Sequence, residues 1–433
     1  MNSIALFWFR RDLRLDDNVG LYHALDNETN VVPIFIFDSD ILSCLPKEDA
    51  RVSFLHQRIE DLNKELGKSK KKIHVFHGKP VEVFQKILKS NSVHAVYTNR
   101  DYEPYATQRD TEIEALLSEN NISFSTYKDQ VIFERDEVVK SDGTPYRVYT
   151  PYSRVWLDKF DRQKHLKSYR IDDFEKLTIL VDHNNPTLNE IGFTASKITA
   201  PQYDTSDKII DQYEARRNTP AVAGTSKVGV HLRFGTLSIR NAVAKSLESS
   251  NQTFLKELIW REFFMQILWH FPYTQNKSFK PQYDRIEWRN DPEEFKRWCE
   301  GKTGFPFVDA GMRELNETGF MHNRVRMLVG SFLCKHLLID WRLGEAYFAK
   351  KLLDYEMASN VGNWQWVAGC GVDAAPYFRI FNPTEQIKKF DKDHSYIKKW
   401  VPDYQTSSYP KQIVDHKMAR ERCLETYKSA LNK

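Results

Sequence analysis

Five short apolar runs alternate with helix-like segments in the first 130 residues, and this alternation is the strongest constraint on the fold. The runs are IALFWF, VVPIFIF, IHVFHG, VHAVYTN and ISFSTY, beginning at residues 4, 31, 73, 93 and 122. Between them, apolar residues recur at helical spacing over 50–66, 80–90 and 107–118. The pattern predicts a doubly wound, parallel α/β (Rossmann-like) domain over residues 1–130. No G-x-G-x-x-G follows the first run, so an ordinary dinucleotide site is not indicated there.

The rest of the chain divides into a connector and a helical region. Residues 131–205 are polar, contain several prolines and show poor periodicity, which predicts a long interdomain connector. From residue 206 onward helical spacing dominates, most clearly over 254–271, 309–319, 324–338 and 344–360. We therefore predict an all-helical domain over residues 206–433.

The basic surplus of the chain lies in this helical region. Residues 201–433 contain 35 Lys and Arg against 28 Asp and Glu, whereas residues 1–200 contain 28 against 31. Eight of the ten tryptophans also lie there, between Trp260 and Trp400. Cations bind phosphates and aromatic rings stack on bases, so this composition fits a nucleic-acid surface. A large tryptophan-rich helical core is the simpler explanation of the same composition.

No membrane segment or export signal is indicated. The first apolar run, IALFWF, is about a third of a membrane span and ends at the charged RRDLR. We therefore expect a cytoplasmic protein. The cysteines lack C-x-x-C spacing, which predicts free thiols and assigns no metal; they are Cys44, Cys299, Cys334, Cys370 and Cys423.

The predicted helix 254–271 combines charges with aromatic rings on one face. The residues at i, i+3, i+4 and i+7 are Glu257, Trp260, Arg261 and Phe264. Because a buried charge is costly unless it is paired, this face indicates either a functional site or a surface pair between Glu257 and Arg261.

Two further motifs leave a choice open. GTSKVG at 224–229 places hydroxyls and free backbone N–H groups ahead of a helical run, which suits either a phosphate site or a plain helix cap. In MHNRVRM at 321–327, His322 is either a catalytic group or a buried histidine with its hydrogen bonds satisfied.

The run EMASNVGNWQW combines small residues, an amide and two tryptophans. Helical spacing predicts that Asp354 with Ala358, and Asn360 with Trp364, share one face above a backbone kept low by small residues. On a helix Trp364 and Trp366 point about 200° apart, so one can face a core and the other a cleft. This floor would admit a flat, hydrogen-bonding ring system, and two core tryptophans are the alternative.

Together these motifs resemble the photolyase/cryptochrome family over nearly the whole chain. FWFRRDLRLDDN, GTS, ELIWREFF, DAGMREL, MHNRVRM, SNVGNWQW and DAAPYFRIFNP occur in the family's order and spacing. The resemblance implies an N-terminal α/β domain, a long connector and a C-terminal helical domain that holds a U-shaped FAD. It is closest to the class I branch, which repairs cyclobutane pyrimidine dimers in DNA.

The resemblance also assigns the FAD cavity. Its phosphate and ribose contacts are Tyr213, Thr225, Ser226, Lys227, Val228 and Gly229, where Gly229 replaces a common serine. The rest of the cavity is Arg261, Asn323, Asp354, Glu356 and Asn360, where Glu356 replaces the usual aspartate. Asn360 would face the central flavin nitrogen, and an amide there favours a reduced, anionic flavin because it donates no acidic proton.

Electron transfer and DNA binding are assigned to other positions. The relay tryptophans, from flavin to surface, are Trp364, Trp341 and Trp288. The lesion pocket is Glu257, Trp260, Met327 and Trp366, and the DNA grip is Arg217, Arg324, Arg379 and Gln386. The implied reaction is light-driven: excited reduced FAD gives one electron to a flipped-out dimer, and Glu257 stabilises the radical anion by a hydrogen bond. That role requires a protonated or bridged Glu257.

Two alternatives share this fold. A cryptochrome-type photoreceptor without repair activity is disfavoured by Asn360, by the lesion-pocket set and by the end of the chain about 50 residues after FRIFNP. A (6-4) photolyase is disfavoured because MHNRVRM stands where that branch has a His-rich segment.

The resemblance also bears on a second chromophore and on the partners of the protein. Tyr105 and Ala106 stand where folate-binding members carry an asparagine and a glutamate, so the identity of an antenna chromophore in the N-terminal domain stays open. We expect a monomer that binds dimer-containing DNA, is associated with the nucleoid when bound, and needs no membrane or obligate protein partner.

Overall fold

The computed structural model describes residues 3–181 and 183–432, which form two compact units. The first unit takes the chain as far as Glu134, with Lys159–Gln202 and Val228–Lys245. The second takes Arg135–Asp158, Tyr203–Lys227 and the chain from Ser246 onward. The two units therefore share the segment that the sequence assigns to a connector, and the domain boundaries at residues 130 and 205 stay a prediction.

The first unit is built on a five-stranded parallel sheet with the order β3-β2-β1-β4-β5. The strands are β1 Ile4–Phe9, β2 Val31–Asp38, β3 His74–Gly78, β4 Val93–Asn99 and β5 Ser123–Tyr127. Between them lie α1 Val19–Asn27, α2 Ala50–Gly67, α3 Pro80–Ser90 and α4 Pro104–Glu119. Shorter helices span Ser39–Leu42, Arg162–His165, Gly229–Arg233 and Ile239–Ser246. The predicted parallel α/β fold is confirmed.

Continuous apolar runs form β1 and β2 because the sheet is covered on both faces there. In β1, Ala5, Phe7 and Phe9 pack into one hydrophobic core. The alternate residues, Leu6 and Trp8, pack into a second core. Successive side chains of a strand point to opposite faces, so a strand buried on both faces needs an apolar residue at every position.

A buried ionic network follows β1 in the FRRDLR region. Arg14 donates to both carboxylate oxygens of Asp129, at 2.6 and 2.7 Å, and Arg240 donates to Asp129 at 2.9 Å and to Asp17 at 3.0 Å. These four side chains are at most 8% exposed. Burial by itself would raise the pKa of Asp129, but the two guanidinium groups lower it to about 2.

The second unit is helical, which confirms the other half of the predicted fold. Its longer helices are α5 Tyr149–Lys159, α6 Thr253–His270, α7 Pro306–Thr318, α8 Asn323–Ser331, α9 Trp341–Lys351, α10 Met357–Ala368 and α11 His416–Asn432. Shorter helical segments span Asp207–Ile210, Tyr213–Arg216, Pro272–Gln275, Pro281–Arg285, Pro292–Cys299, Phe332–His336, Pro383–Phe390 and Ser395–Trp400. The five cysteines are free thiols, as predicted.

The sequence prediction of one helix over 344–360 is wrong. Helix α9 ends at Lys351, and α10 begins only at Met357. Leu352 is extended, with φ −71° and ψ 128°, and the N–H of Leu353 donates to the carbonyl of Gly319 at 2.9 Å. A tertiary hydrogen bond and the burial of both leucines replace the helical pattern here. Asp354 consequently does not share a helical turn with Ala358.

Candidate functional site

A cavity of about 530 Å³ lies within the second unit, a volume common for small-molecule sites. Its wall comes from α6, α8 and α10, from the non-helical segment 352–356 and from the stretch between Tyr213 and Thr225. The predicted site residues that line it are Tyr213, Arg217, Thr225, Glu257, Trp260, Arg261, Asn323, Arg324, Met327, Asp354, Glu356, Asn360, Trp364 and Trp366. Motifs far apart in the sequence therefore meet at one cavity.

The other predicted site residues lie outside this lining: Ser226, Lys227, Val228, Gly229, Trp288, Trp341, Arg379 and Gln386. In the GTSKVG loop, Lys227 is exposed and adopts a left-handed backbone conformation with φ 55°, so the chain turns sharply there. Only Thr225 of that loop reaches the cavity wall. Arg379 is exposed, and its guanidinium lies 5.5 Å from the centroid of the Phe381 ring.

Three arginine–carboxylate pairs line the cavity: Arg217–Glu257, Arg261–Glu356 at 3.1 Å and Arg326–Asp354 at 2.9 Å. Glu257 and Arg261 lie one turn apart on α6, yet each pairs with a side chain from another segment. The Arg217–Glu257 pair is about one third exposed, whereas the side chains of Arg261 and Glu356 are 11% and 6% exposed. Water therefore screens the first pair, and a ligand can exchange with it more readily than with the second.

Glu345 is a half-buried hydrogen-bond partner of the cavity residue Asn360 that the sequence interpretation missed. Asn360 donates its amide N–H₂ group to the carboxylate of Glu345 at 2.9 Å and to the carbonyl of the same residue at 3.2 Å. Burial raises the pKa of Glu345, although hydrogen bonds from Asn360 and Tyr355 oppose the shift. Because both donated bonds go to Glu345, the amide oxygen is the group that Asn360 presents to a ligand. The only sequence signal was a glutamate in a helical run.

Two tryptophans form aromatic walls of the cavity. Trp260 on α6 and Trp366 on α10 are both half-buried. Gly362 lets the two helices approach closely, because a Cβ at this position would overlap the Phe264 ring. Tyr149, which is not a lining residue, stacks on Trp260 with ring centroids 3.7 Å apart and ring planes within 6°. The sequence interpretation missed Tyr149 because it lies in the polar segment assigned to a connector.

The three predicted relay tryptophans share one hydrophobic core in the second unit. Trp364 lines the cavity and is 3% exposed, Trp341 is 1% exposed, and Trp288 is half-buried. Within the described residues, the indole N–H of Trp341 has no hydrogen-bond partner. A Cβ at Gly344 would overlap the Trp364 ring, so the missing side chain lets α9 pack directly on Trp364. Exposure thus increases at the end of the series, towards Trp288.

His322 has a structural position rather than a catalytic one. It is 4% exposed, and its Nδ1 accepts a hydrogen bond from the backbone N–H of Arg324 at 3.2 Å, which caps α8. Burial lowers its pKa to about 4. A neutral cap is what this geometry requires, which favours a buried structural histidine over a catalytic one. The prediction that its hydrogen bonds are all satisfied is wrong, because Nε2 has no hydrogen-bond partner among the described residues.

Metal binding and membrane insertion can be stated for residues 3–181 and 183–432. No group of three or more His, Cys, Asp or Glu side chains is arranged there to hold a metal ion. No helix in the same ranges is long and apolar enough to cross a bilayer.

The cavity residues fit a flavin dinucleotide. A flat ring with polar edges needs small residues beneath it and hydrogen-bonding groups around it. Gly330 and Ser359 supply the first, and Asn360 and Asp354 supply the second. Thr225 adds a hydroxyl at the end of the cavity formed by the GTSKVG loop.

Comparison with known proteins agrees with this chemistry. Residues 5–170 match the family described as DNA photolyase, and residues 254–408 match the FAD binding domain of DNA photolyase. A deoxyribodipyrimidine photo-lyase of Vibrio cholerae is 36% identical over 470 residues, which cover 99% of this chain and 100% of the relative.

Solved structures give the same result. A bacterial class III photolyase from Agrobacterium tumefaciens has a TM-score of 0.90 and 33% identity, and the match covers 100% of this chain and 98% of the other. An archaeal photolyase from Sulfolobus tokodaii, solved with two FAD molecules, has a TM-score of 0.86 and 33% identity, with 99% and 100% covered. The chain therefore belongs to the photolyase/cryptochrome family, as a photolyase whose helical unit carries the family's FAD-binding domain.

Proposed function

We propose that this photolyase splits cyclobutane pyrimidine dimers in DNA with the energy of blue or near-ultraviolet light. The observation that carries the proposal is that one cavity is lined both by Asn360, the amide assigned to the flavin, and by the lesion set Glu257, Trp260, Met327 and Trp366. Electron transfer from an excited flavin to a lesion requires the two to lie close together, so the residues that bind each of them must line the same cavity. When bound, reduced FAD supplies a one-electron donor that light excites.

Trp260 and Trp366 hold the flipped dimer between aromatic surfaces. A dimer has lost planarity and pairing, so extruding it costs less than extruding a normal base. Base–aromatic stacking contributes about 1–3 kcal/mol per base, which is comparable to the unstacking cost. On gaining one electron the dimer opens its two ring C–C bonds and gives the electron back, so the repair causes no net redox change.

Arg217 and Glu257 link DNA binding to the lesion pocket. Their ion pair is about one third exposed, so a DNA phosphate can draw Arg217 away from Glu257. Once protonated, Glu257 can then donate a hydrogen bond to a pyrimidine carbonyl oxygen, where negative charge develops during ring opening. Arg324, which donates to Asn218 at 2.6 Å, Arg379 and Gln386 are proposed to hold the flanking backbone.

The resident groups of the helical unit prepare the cofactor. Arg261, Asn323, Asp354 and Glu356 are proposed to hold the flavin with Thr225 and Tyr213. In the GTSKVG loop, Ser226 and Lys227, which belong to the same unit, are proposed as phosphate contacts through their backbone groups. Glu345 orients Asn360, so an amide oxygen faces the ring.

Trp364, Trp341 and Trp288 are proposed to carry electrons from the surface to the cavity. We expect Trp341→Phe to slow light-driven reduction of the bound flavin at least tenfold, because phenylalanine is far harder to oxidise. Repair by protein reduced beforehand with dithionite should remain at the wild-type rate. Trp400→Phe, a partly buried tryptophan of the same core, is the control. Unchanged photoreduction in Trp341→Phe would exclude this route.

The decisive experiment measures repair. Purified, photoreduced protein is mixed with a thymine-dimer oligonucleotide, and the recovery of thymine absorbance is followed in blue light and in the dark. Light-dependent recovery that is lost when Glu257→Ala and Trp260→Ala are combined establishes the activity. Bound flavin with no recovery would support a photoreceptor, and recovery only on a (6-4) substrate would support that branch of the family.

The remaining expectations are a cytoplasmic monomer and a second chromophore in the first unit. Sedimentation in the presence and absence of damaged DNA tests whether the protein is a monomer. The Sulfolobus relative contains two FAD molecules. In this chain, the carboxyl end of β2, where Tyr105 donates to Asp38 at 2.6 Å, is the place where we propose to look for a second chromophore. The absorption spectrum of the purified protein and its extracted chromophores will identify any antenna.

A further inference from the structure

Tyr149 occupies a position that no part of the flavin or lesion assignment explains. Its ring lies face to face with Trp260, with centroids 3.7 Å apart and planes within 6°, and it meets the Phe263 ring edge-on at 5.9 Å. Trp260 lines the cavity, whereas Tyr149 does not. One face of the indole is therefore covered by protein, which leaves the cavity side for a ligand.

This stacking geometry is held by its surroundings. Aromatic rings prefer offset or edge-on arrangements to a closely superposed sandwich, because the faces of both rings carry negative charge density. The hydroxyl of Tyr149 donates to the carbonyl of Lys256 at 2.8 Å, one turn before Trp260 on α6. Burial, together with the nearby Glu257 carboxylate, raises the pKa of Tyr149, so the phenol keeps the proton that it donates. The ring is fixed to the same helix as the tryptophan it covers.

A second anchor connects Tyr149 to the segment after α10. The backbone N–H of Tyr149 donates to the carboxylate of Asp373 at 3.2 Å. Asp373 itself adopts a left-handed backbone conformation with φ 46°, which aspartate, asparagine and histidine adopt more often than other non-glycine residues. The start of α5, helix α6 and the DAAPYF segment thus converge at one tyrosine.

We propose that Tyr149 is a positioning residue that fixes the plane of Trp260 before a lesion arrives. The inference rests on the proposed function, since Trp260 is the group that stacks on the dimer. With Tyr149 in place, one face of the indole is covered, and the stack restricts rotation of the Trp260 side chain. Binding then requires little loss of side-chain freedom at Trp260, which favours the complex with damaged DNA over the complex with undamaged DNA.

The test compares Tyr149→Met, which keeps apolar volume without a planar face, with Tyr149→Phe, which keeps the ring. Tyr146→Met is the matched control: Tyr146 is also half-buried in the same segment, and its ring packs on Tyr152 rather than on Trp260. Fluorine NMR of fluorotryptophan-labelled free protein reports the mobility of Trp260, identified from the Trp260→Phe spectrum. Dark binding to dimer-containing and undamaged oligonucleotides reports selectivity.

We expect Tyr149→Met to change the Trp260 resonance and to weaken binding to damaged DNA about two- to tenfold, with undamaged DNA bound as by the wild type. Tyr149→Phe and Tyr146→Met should match the wild type within twofold. An unchanged Trp260 resonance in Tyr149→Met overturns the proposal, and so does an equal loss of binding in Tyr146→Met, which would assign the effect to the segment as a whole rather than to the stacked ring. If Tyr149→Met fails to fold, the Tyr149→Leu variant takes its place.

Failure of the proposed function gives a different result. Wild-type protein that does not discriminate damaged from undamaged DNA would reject dimer recognition by this cavity. The Trp260 resonance in the free protein still decides whether Tyr149 fixes the indole, because that measurement uses no DNA.

Discussion

Arginine–carboxylate pairs occur in two regions of this molecule with opposite surroundings. In the first unit, Arg14, Arg240, Asp17 and Asp129 form a network in which no side chain is more than 8% exposed. Around the cavity of the second unit, Arg217 and Glu257 use the same chemical groups, but each is about one third exposed. The same kind of pair is thus almost fully withdrawn from water in one place and in contact with water in the other.

The difference follows from what a ligand can reach. A buried guanidinium whose hydrogen bonds are already taken by carboxylates has nothing to offer a phosphate, and removing its partner leaves an uncompensated charge. A pair in contact with water contributes little to stability, so either partner can be released at low cost. Between these two sites, exposure rather than residue type decides how readily a charged partner can be exchanged. The Arg261–Glu356 pair of the cavity, at 11% and 6% exposed, is closer to the buried network in this respect.

Asp129→Ala, which removes a carboxylate from the buried network, is expected to have the largest effect on stability. We expect this change to lower the free energy of unfolding of the first unit by about 3–5 kcal/mol, because Arg14 and Arg240 lose a shared buried counter-charge. Urea denaturation followed by circular dichroism measures the loss. Glu257→Ala is the matched change in the second unit and should cost no more than about 1 kcal/mol. Equal losses at the two sites would contradict the distinction.

The pH dependence of stability sharpens the same contrast. The pKa of Asp129 is about 2 in the folded protein, below the ordinary value of 3.8. A depressed carboxyl pKa contributes stability that is present above about pH 4 and is lost as the pH falls through about 2. The contribution is about 2 kcal/mol, so unfolding free energies measured near pH 5 and near pH 2 should differ more in the wild type than in Asp129→Asn. Parallel acid profiles would show that Asp129 is not the group responsible.

The smallest stability effect is expected for Arg217→Gln. The free energy of unfolding should change by less than about 1 kcal/mol, while the slope of log affinity for DNA against log salt falls by about 1 because one phosphate contact is lost. Arg289→Gln is the control, since Arg289 has the same 32% exposure and pairs with Glu294 away from the cavity lining. A salt slope that is unchanged in Arg217→Gln, or changed equally in Arg289→Gln, would remove Arg217 from the DNA surface.

Much of the fold could be predicted because its signals are local. The five strands lie within one residue of the predicted runs at either end. In β1 and β2, burial on both faces leaves an almost unbroken apolar pattern, whereas the edge strand β5 is at most half-buried. The mixture of charged and aromatic residues on one face of α6 is likewise visible in the sequence, but the lesion and flavin roles of the candidates on α6, α8 and α10 came from the resemblance to the family.

The misses depend on contacts between distant segments. The break between α9 and α10 contains neither glycine nor proline, and it arises from the bond between Leu353 and Gly319. Tyr149 lies 111 positions before Trp260, in a segment without periodicity. Glu345 is typical of an exposed helical glutamate until Asn360 is placed beside it. No pattern within a single segment carries this information.

Gly344 has a consequence for how this protein can evolve. A methyl group there would overlap Trp364, and Gly344 lies three residues after Trp341 on α9. Electron-tunnelling rates fall steeply with distance. In the proposed relay, a shift of α9 by the thickness of one methyl group would therefore change the rate at which light reduces the bound flavin. A substitution at Gly344 would therefore lengthen the time in daylight that the protein needs to become active, and selection would act on that delay even in a variant that folds normally.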